Sequence, residues 1–314
     1  MRAYLFRRLA FALFLIVAVS SASLILARLA PGDYADTLGE QMKPEQRAAY
    51  RHAHGLDRPI LSQYASWIAH AARFDFGESL KYGRPVRDVI PEHAKNTAIL
   101  AVTALALATL AGIGLGVVTG SSRGGFAAQV IRSLSLVLLS MPPLLTSLFL
   151  VFLAARTGWL PIAGMRSSQV EGSPLVDLLR HLIVPAAAIA LPLAAMFERL
   201  QSQAMRDVMG RPFVVATLAR GVPWPRVVWR DALRVALAPV ASVYGLVVGT
   251  LLGGSFAVEV ITAWPGLGRL MLEALQSRDV YLVAGCAGAG ATFLAIGTLC
   301  SDLALAWVDP RVRE

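Results

Sequence analysis

Side chains capable of chemistry are few in this sequence, and their spacing argues against an enzyme. The five histidines stand at positions 52, 54, 70, 93 and 181 and the two cysteines at 286 and 300, a spacing that no zinc site uses. The pair His52 and His54 in a polar segment is typical of solvated side chains. No Gly-x4-Gly-Lys-Ser/Thr stretch that would cradle phosphates occurs. We therefore predict that the chain binds no metal or cofactor and catalyses no reaction by itself.

Two carboxylates and four prolines, Pro142, Pro143, Pro185 and Pro192, stand inside long apolar segments. Ionisable groups in such segments are candidates for function, and Glu259 and Asp302 qualify, although each stands near a segment end where a structural role is the alternative. Pro142 and Pro143 remove backbone donors and can break a helix next to a pathway, or merely kink it. Glu259, Pro142 and Pro143 are the candidates for a pathway or gate.

A short stretch between stop signals has the shape of an interaction helix. Pro212 suits the first position of a helix. Gly221 followed by Pro223 ends it about two turns later, and Arg220 makes that end positive. One face of the helix between these signals carries small side chains, those of Ala216, Thr217 and Ala219. This pattern suits insertion into a groove on another protein, and an amphipathic helix lying at a membrane surface is the alternative.

Composition places the chain in a membrane. Hydrophobic residues make up 56% and charged residues only 16%, with a mean hydropathy of +0.60, whereas soluble domains carry about 25% charged residues. A net charge of +9 would suggest nucleic acid in a soluble protein. No basic stripe interleaved with aromatic residues occurs, so we predict no nucleic-acid partner.

Apolar periodicity predicts about six membrane-spanning helices and an all-α fold. The first apolar run, residues 9–27, is longer than the core of a signal peptide and is predicted to be a retained helix. A polar segment over 43–54 is predicted to be helical and outside the membrane. The predicted spans are 9–29, 97–120, 132–155, 179–198, 236–262 and 280–305.

Charge predicts how these helices are oriented. Three arginines precede the first span, and residues 199–234 carry seven arginines against two aspartates. Cytoplasmic loops of membrane proteins are enriched in Lys and Arg. Placing the N-terminus in the cytoplasm also places 199–234 there and puts 31–95, with nine charges of each sign, on the other side. Both termini are then predicted to be cytoplasmic.

Glycines recur every fourth residue in two of the predicted helices. The first stripe is Gly112, Gly116 and Gly120, and the second is Gly245, Gly249 and Gly253. Small residues at this spacing let helix backbones approach closely in lipid. We expect the stripes to pack helices within this chain, with an interface to a second subunit as the alternative.

Several short motifs together resemble one family of transport proteins, the type I ABC importer permeases of the dipeptide/oligopeptide/nickel group. Each motif is weak, but they follow the family's order along nearly the whole chain. They are Arg28–Asp33, Gly55–Pro59, Asp75–Ser79, Gly158–Pro161 with Gly164, Ala219–Gly221 with Pro239, Glu259 with Trp264–Arg269, Asp302, and Asp309–Arg311. The chain departs from the pattern where Arg220 replaces a usual Lys and Asp231 a usual His.

The resemblance implies a domain plan and a function. It implies an N-terminal transmembrane helix over 1–30, a periplasmic segment over 31–95, and a five-helix permease core over 96–314 with a cytoplasmic coupling loop at about 199–234. The chain would form half of a translocation pathway for peptides in the bacterial inner membrane. The family's nickel chelates or glutathione are alternative substrates, and a secondary transporter, whose midplane ion sites and inverted repeats we do not find, is the alternative outside the family.

The resemblance also implies partners and a coupling site. The partners are a second, homologous permease subunit, two cytosolic ABC ATPases that hold ATP and magnesium, a periplasmic substrate-binding protein, and the lipid bilayer. The residues that would couple to an ATPase are Phe213, Ala216, Thr217, Ala219, Arg220, Gly221, Pro223 and Arg226.

Overall fold

The fold is built almost entirely of helices. The structure is a computed structural model that describes residues 2–38, 43–122, 124–167 and 173–308. Two short strands, β1 and β2, pair antiparallel, with Glu78 opposite Pro85. The elements in chain order are α1 Arg2–Leu29, α2 Tyr34–Thr37, α3 Pro44–Ala53, α4 Ile60–Ala71, β1 Glu78–Ser79, β2 Arg84–Pro85, α5 Val86–Ser121, α6 Phe126–Leu139, α7 Pro143–Thr157, α8 Pro174–Met209, α9 Pro212–Ala219, α10 Trp224–Arg226, a π-helix Val227–Ala232, α11 Leu233–Ala236, α12 Ala238–Ile261, α13 Leu267–Gln276 and α14 Val280–Val308.

The number of spans agrees with the sequence prediction. Four helices, namely α1, α5, α8 and α14, are long and apolar enough to cross a membrane unbroken. Two bent pairs, α6 with α7 and the 224–236 segment with α12, pass the same test when each is taken as one span, which gives up to six. The all-α polytopic fold is confirmed, and α3 lies where the polar helix at 43–54 was predicted.

The predicted span over 132–155 consists of two helices. The chain ends α6 at Leu139, restarts as α7 at Pro143 and bends by 108° between them. Pro142 has extended backbone angles and Pro143 takes the first helical position. Two adjacent prolines remove two helix donors, and each disfavours helical angles in the residue before it, so the turn cannot continue. Pro185 and Pro192, which are isolated, lie inside the unbroken α8.

The chain forms two compact units. The first unit contains residues Ala98–Trp264 and the residues from 296 onward, and the second contains Arg2–Thr97 and Pro265–Ala295. Each unit has its own buried cluster of apolar side chains.

In the first unit the glycine stripe of α5 packs directly on α8. A β-carbon placed on Gly112 would lie 2.6 Å from the carbonyl oxygen of Ala194, and one on Gly116 would lie 2.6 Å from Cβ of Gln201. At Gly120 the distance to the carbonyl oxygen of Ser202 would be 2.5 Å. The prediction that this stripe packs helices within the chain is confirmed, because no side chain larger than hydrogen fits.

The second glycine stripe packs more loosely. At Gly245 an added β-carbon would lie 3.3 Å from Oγ of Ser301, and at Gly253 it would meet open space. The helix that carries this stripe, α12, begins at Ala238, close to the predicted residue 236. The chain is already helical from Trp224, passes through a π-helix, and bends by 54° before α12.

In the second unit one carboxylate joins the β-hairpin to the start of α14. Asp279 is fully buried and accepts hydrogen bonds from Oγ of Ser79 at 2.6 Å and from the backbone N–H of Lys81 at 3.1 Å. Its other oxygen accepts from the backbone N–H of Leu282 at 3.1 Å, which caps the first turn of α14. One side chain thus orders both elements.

A second carboxylate, Glu273 on α13, gives this unit a pH dependence. It accepts from Nζ of Lys81 and the hydroxyl of Tyr82, each at 2.9 Å, and from Nε of Arg269 at 3.2 Å. Burial alone would raise the pKa of Glu273, but the hydrogen bonds from Lys81 and Tyr82 and the nearby ammonium outweigh it and lower that pKa. Burial and the same bond raise the pKa of Tyr82 to about 12.

We expect Glu273 to stabilise the fold at neutral pH and not in acid. A lowered folded-state pKa means that this stability is present above the unfolded pKa of about 4.3 and is lost as pH falls through the folded value. Because the carboxylate is 27% exposed, the contribution should be below about 1 kcal/mol. The measurement is the thermal unfolding midpoint of the native chain and of Glu273→Gln at pH 7 and pH 3. If the unfolding midpoints of the two proteins differed by the same amount at both pH values, the stabilising role of the Glu273 carboxylate would be contradicted.

Candidate functional site

The predicted interaction helix is present with the predicted ends. Arg211 is its N-cap, Pro212 takes the first helical position, and α9 ends at Ala219. Gly221 adopts the left-handed φ of +81° that a glycine accepts without strain. Pro223 then caps the following turn. The stop signals read from the sequence therefore set the length of this helix.

One face of α9 is anchored in a buried apolar cluster. Val214 is 1% exposed and packs with Met205 and Val208 of α8 and with Val227 and Val228 of the π-helix. These two helical elements thus hold the short helix in place. Burial of this apolar surface fixes α9 against α8 and the π-helix.

The predicted small face is divided by the fold. Ala216 and Ala219 are exposed, whereas Thr217 is 7% exposed and faces the cluster. The hydroxyl of Thr217 donates to the carbonyl oxygen of Phe213 at 2.8 Å and accepts from Nη2 of Arg220 at 3.2 Å. Thr217 therefore orients Arg220 from the buried side of the helix. A partner on the exposed side would contact the two alanines and not Thr217.

The remaining predicted coupling residues lie on the exposed side. Phe213 and Trp224 are 38% and 39% exposed, and they flank the helix as apolar side chains. A β-carbon at Gly221 would meet nothing within 4 Å. The exposed members of the predicted set are Phe213, Ala216, Ala219, Arg220, Gly221, Pro223 and Arg226.

Two of the three pathway candidates share a cavity. Pro142 and Pro143, at the break between α6 and α7, line a cavity of about 430 Å³ together with Pro192, Met196 and other apolar side chains. The cavity is large enough for a small ligand or an amino-acid side chain. The prolines that break the helix therefore also open space beside it.

Glu259, the third candidate, does not line that cavity. It is 0% exposed and stands near the end of α12, where its backbone carbonyl accepts from the N–H of Trp264 at 2.9 Å. Its position near a predicted segment end suggested a side chain that can reach water, but the fold encloses it. The structure therefore separates Glu259 from the proline break.

Two features of the first unit were not predicted from the sequence. A pocket of about 400 Å³ lies between α6 and α8 and is lined by three arginines, and six residues before α12 form a π-helix. The arginines of α8 belong to a polar stripe at helical spacing, Arg199, Ser202, Gln203 and Arg206, which the sequence displays. Nothing in the sequence signals the π-helix.

Metal-binding geometry is not found in the described ranges. Between residues 2 and 308, leaving aside 39–42, 123 and 168–172, no group of three or more His, Cys, Asp or Glu side chains is close enough to hold a metal ion. His52 and His54 are exposed, and Cys286 and Cys300 are free thiols.

Comparison with known proteins identifies the family. Residues 112–314 match the model of the binding-protein-dependent transport system inner membrane component, and residues 1–90 match that of the N-terminal part of such components. The chain is 33% identical over 324 residues to the oligopeptide transport system permease protein OppB of Mycobacterium tuberculosis, covering 100% of this chain and 99% of that one. It is 29% identical over 316 residues to the oligopeptide transport system permease protein AppB of Bacillus subtilis, covering 100% of both. The chain therefore belongs to the family of inner membrane components of binding-protein-dependent transport systems, the transmembrane permease subunits of ABC importers.

Proposed function

We propose that this chain forms half of a translocation pathway for peptides and receives the ATP-driven motion through α9. The peptide substrate is supported by the relatives, whose names state oligopeptide or peptide transport. The observation that carries the coupling role is the construction of α9, a helix of 8 residues anchored on one face and exposed with small side chains on the other.

The partners follow from the family. A binding-protein-dependent system implies a substrate-binding protein and ATPases besides the membrane component. In our proposal there are two ATPases in the cytosol, each receiving one coupling helix, and a second homologous permease completes the pathway. The loop over 199–234 and both termini then lie in the cytoplasm, and the segment over 31–95 lies in the periplasm, as the charge distribution favours.

The cycle would couple two conformations of the permease pair. ATP binding closes the two ATPases on each other, and α9 moves with the ATPase surface that holds it. Because α9 shares a buried cluster with α8 and the π-helix, its displacement reaches the helices that enclose the pathway. The nucleotide then shifts the population between inward-facing and outward-facing states.

The break at Pro142 and Pro143 is our proposed section of the pathway. Irregular backbone at membrane depth is tolerated where it is buried in protein or lines a cavity. The cavity beside these prolines is mostly apolar, so it would contact peptide side chains rather than the charged termini. Glu259, which is enclosed, would support the end of α12 and would not contact the substrate.

The adjacent residues 216 and 217 provide the test of α9 as the ATPase contact. We expect Ala216→Cys to react with a maleimide in the isolated permease and to react about tenfold more slowly in the complex, because interface cores exclude solvent. Thr217→Cys should react slowly in both, since that position faces the buried cluster. Thr157→Cys, at the exposed end of α7, is the control whose labelling should not change.

The labelling is done after Cys286 and Cys300, the two native thiols, are replaced by alanine. Equal labelling of Ala216→Cys with and without the ATPases would refute the coupling role of α9. The wider proposal is tested by purifying the native complex in mild detergent and identifying its subunits by mass spectrometry. Recovery of the chain without any protein carrying a phosphate-binding loop would contradict it.

A further inference from the structure

The pocket between α6 and α8 is built from charged side chains at the end of an apolar helix. Arg132 comes from the second turn of α6, and Arg199 and Arg206 come from the last third of α8. α8 has 36 residues and is therefore about 54 Å long, which exceeds a hydrocarbon core of about 30 Å. The arginines lie where the apolar sequence of α8 gives way to polar residues, and such a transition is expected at the head groups of a bilayer.

The arginines retain unused hydrogen-bonding capacity. Nη2 of Arg132 donates to the carbonyl oxygen of Thr119 at 2.5 Å, but its Nε is buried and has no hydrogen-bond partner within the described chain. Nη2 of Arg206 donates to Oγ of Ser202 at 2.9 Å. Neither these two nor Arg199 has a carboxylate oxygen within 4.0 Å of its guanidinium nitrogens in the ranges that the structure describes.

Two carboxylates line the same pocket and define its net charge. Glu198 is 2% exposed, and its Oε1 accepts from the hydroxyl of Thr119 at 2.5 Å. Asp207 is exposed. Three guanidinium groups against these two carboxylates leave one positive charge, which matches the single negative charge of a phosphodiester. Guanidinium groups also match the geometry of phosphate oxygens in bidentate hydrogen bonds.

An apolar surface continues from the pocket along α6. Leu136 lines the pocket and is 51% exposed, and Leu139, one turn further along the same face of α6, is 41% exposed. A free anion would use only the arginines, whereas a lipid would place its acyl chains on these side chains. We propose that this pocket binds the head group of an anionic glycerophospholipid, with its phosphodiester on Arg132, Arg199 and Arg206. Basic pockets between membrane helices are a known way to hold such head groups.

Native mass spectrometry of the purified chain with added phosphatidylglycerol tests the proposal. The double variant Arg199→Gln with Arg206→Gln should bind phosphatidylglycerol about 30-fold more weakly, given the contribution of each basic side chain to anionic lipid binding. The matched control is Arg230→Gln with Arg234→Gln, which removes the same charge from the same basic stretch, outside the pocket. It should bind as the native chain does. Arg199→Lys with Arg206→Lys keeps the charge without the bidentate geometry and should be intermediate.

Three results would overturn the proposal. Equal weakening in the control pair would mean that the lipid is attracted by the overall charge and not by the pocket. Equal retention of phosphatidylcholine by the native chain would mean that the head group's net charge is not recognised. Inorganic phosphate binding as tightly as phosphatidylglycerol would mean that the apolar surface contributes nothing. The measurement needs neither the ATPases nor a substrate, so its failure leaves the transport proposal untouched.

Discussion

Replacing Gly116 by leucine should strongly destabilise the first unit, whereas the same change at Gly114 should not. The two glycines stand two residues apart on α5 and face different surroundings. A β-carbon at Gly116 would lie 2.6 Å from Cβ of Gln201 and 2.8 Å from the carbonyl oxygen of Glu198. A β-carbon at Gly114 would meet nothing within 4 Å. The contrast isolates helix packing from helix propensity.

The expected loss at Gly116 is about 3 kcal/mol, the upper end of the cost of overpacking a filled interior. Part of the contact at 116 is backbone, which cannot rotate away as a side chain does. At Gly114 a leucine should be neutral or stabilise by up to about 1 kcal/mol, since glycine is a poor helix former. The comparison is made by heating both variants in the same detergent and measuring the loss of monodisperse protein with temperature. Similar unfolding midpoints for the two variants would contradict the close packing of α5 on α8.

Adding two negative charges to the end of α9 should abolish transport without harming the fold. Ala219→Glu with Gly221→Asp places carboxylates on the exposed face that we assign to the ATPase. Both positions are exposed, and aspartate tolerates the left-handed backbone of residue 221. Unpaired charges in an interface cost several kcal/mol, so ATPase binding should weaken about 100-fold or more.

The matched control is Ala219→Gln with Gly221→Asn. These side chains have the same size and the same backbone tolerance as the carboxylates but carry no charge. We expect this pair to retain ATPase binding and most of the transport rate. Co-purification of the ATPases and uptake of a labelled peptide into vesicles are the two readouts. Normal ATPase recovery with the charged pair would show that α9 does not contact the ATPase.

The parts of the fold that follow from the sequence are those with a local cause. The ends of α9 follow from Pro212, Gly221 and Pro223, because each residue restricts its own backbone. The close packing of α5 on another helix of the chain follows from Gly116 and its neighbours at four-residue spacing, although this spacing does not identify α8 as that helix. Both predictions need only neighbouring residues, and both are confirmed.

The features that the sequence left open or did not indicate depend on the tertiary structure. Pro142 and Pro143 could have kinked a helix or broken it, and the difference depends on whether neighbouring helices leave room for a bend of 108°. Thr217 was grouped with Ala216 by size, but the position of the apolar cluster decides which of them is exposed. Arg132 and Arg206 are 74 positions apart in sequence, and only the packing of α6 on α8 brings them to one pocket.

The contact between α5 and α8 also offers a practical reference for studying the motion of the molecule. Where α5 meets α8 through glycine, α5 contributes no side chain that could change rotamer and let one helix slide past the other. Spectroscopic labels placed on the far sides of α5 and α8, near Gly116 and Gln201, should therefore keep one separation throughout the cycle. That pair would serve as an internal distance standard, against which any change measured to α9 is motion of the coupling helix itself.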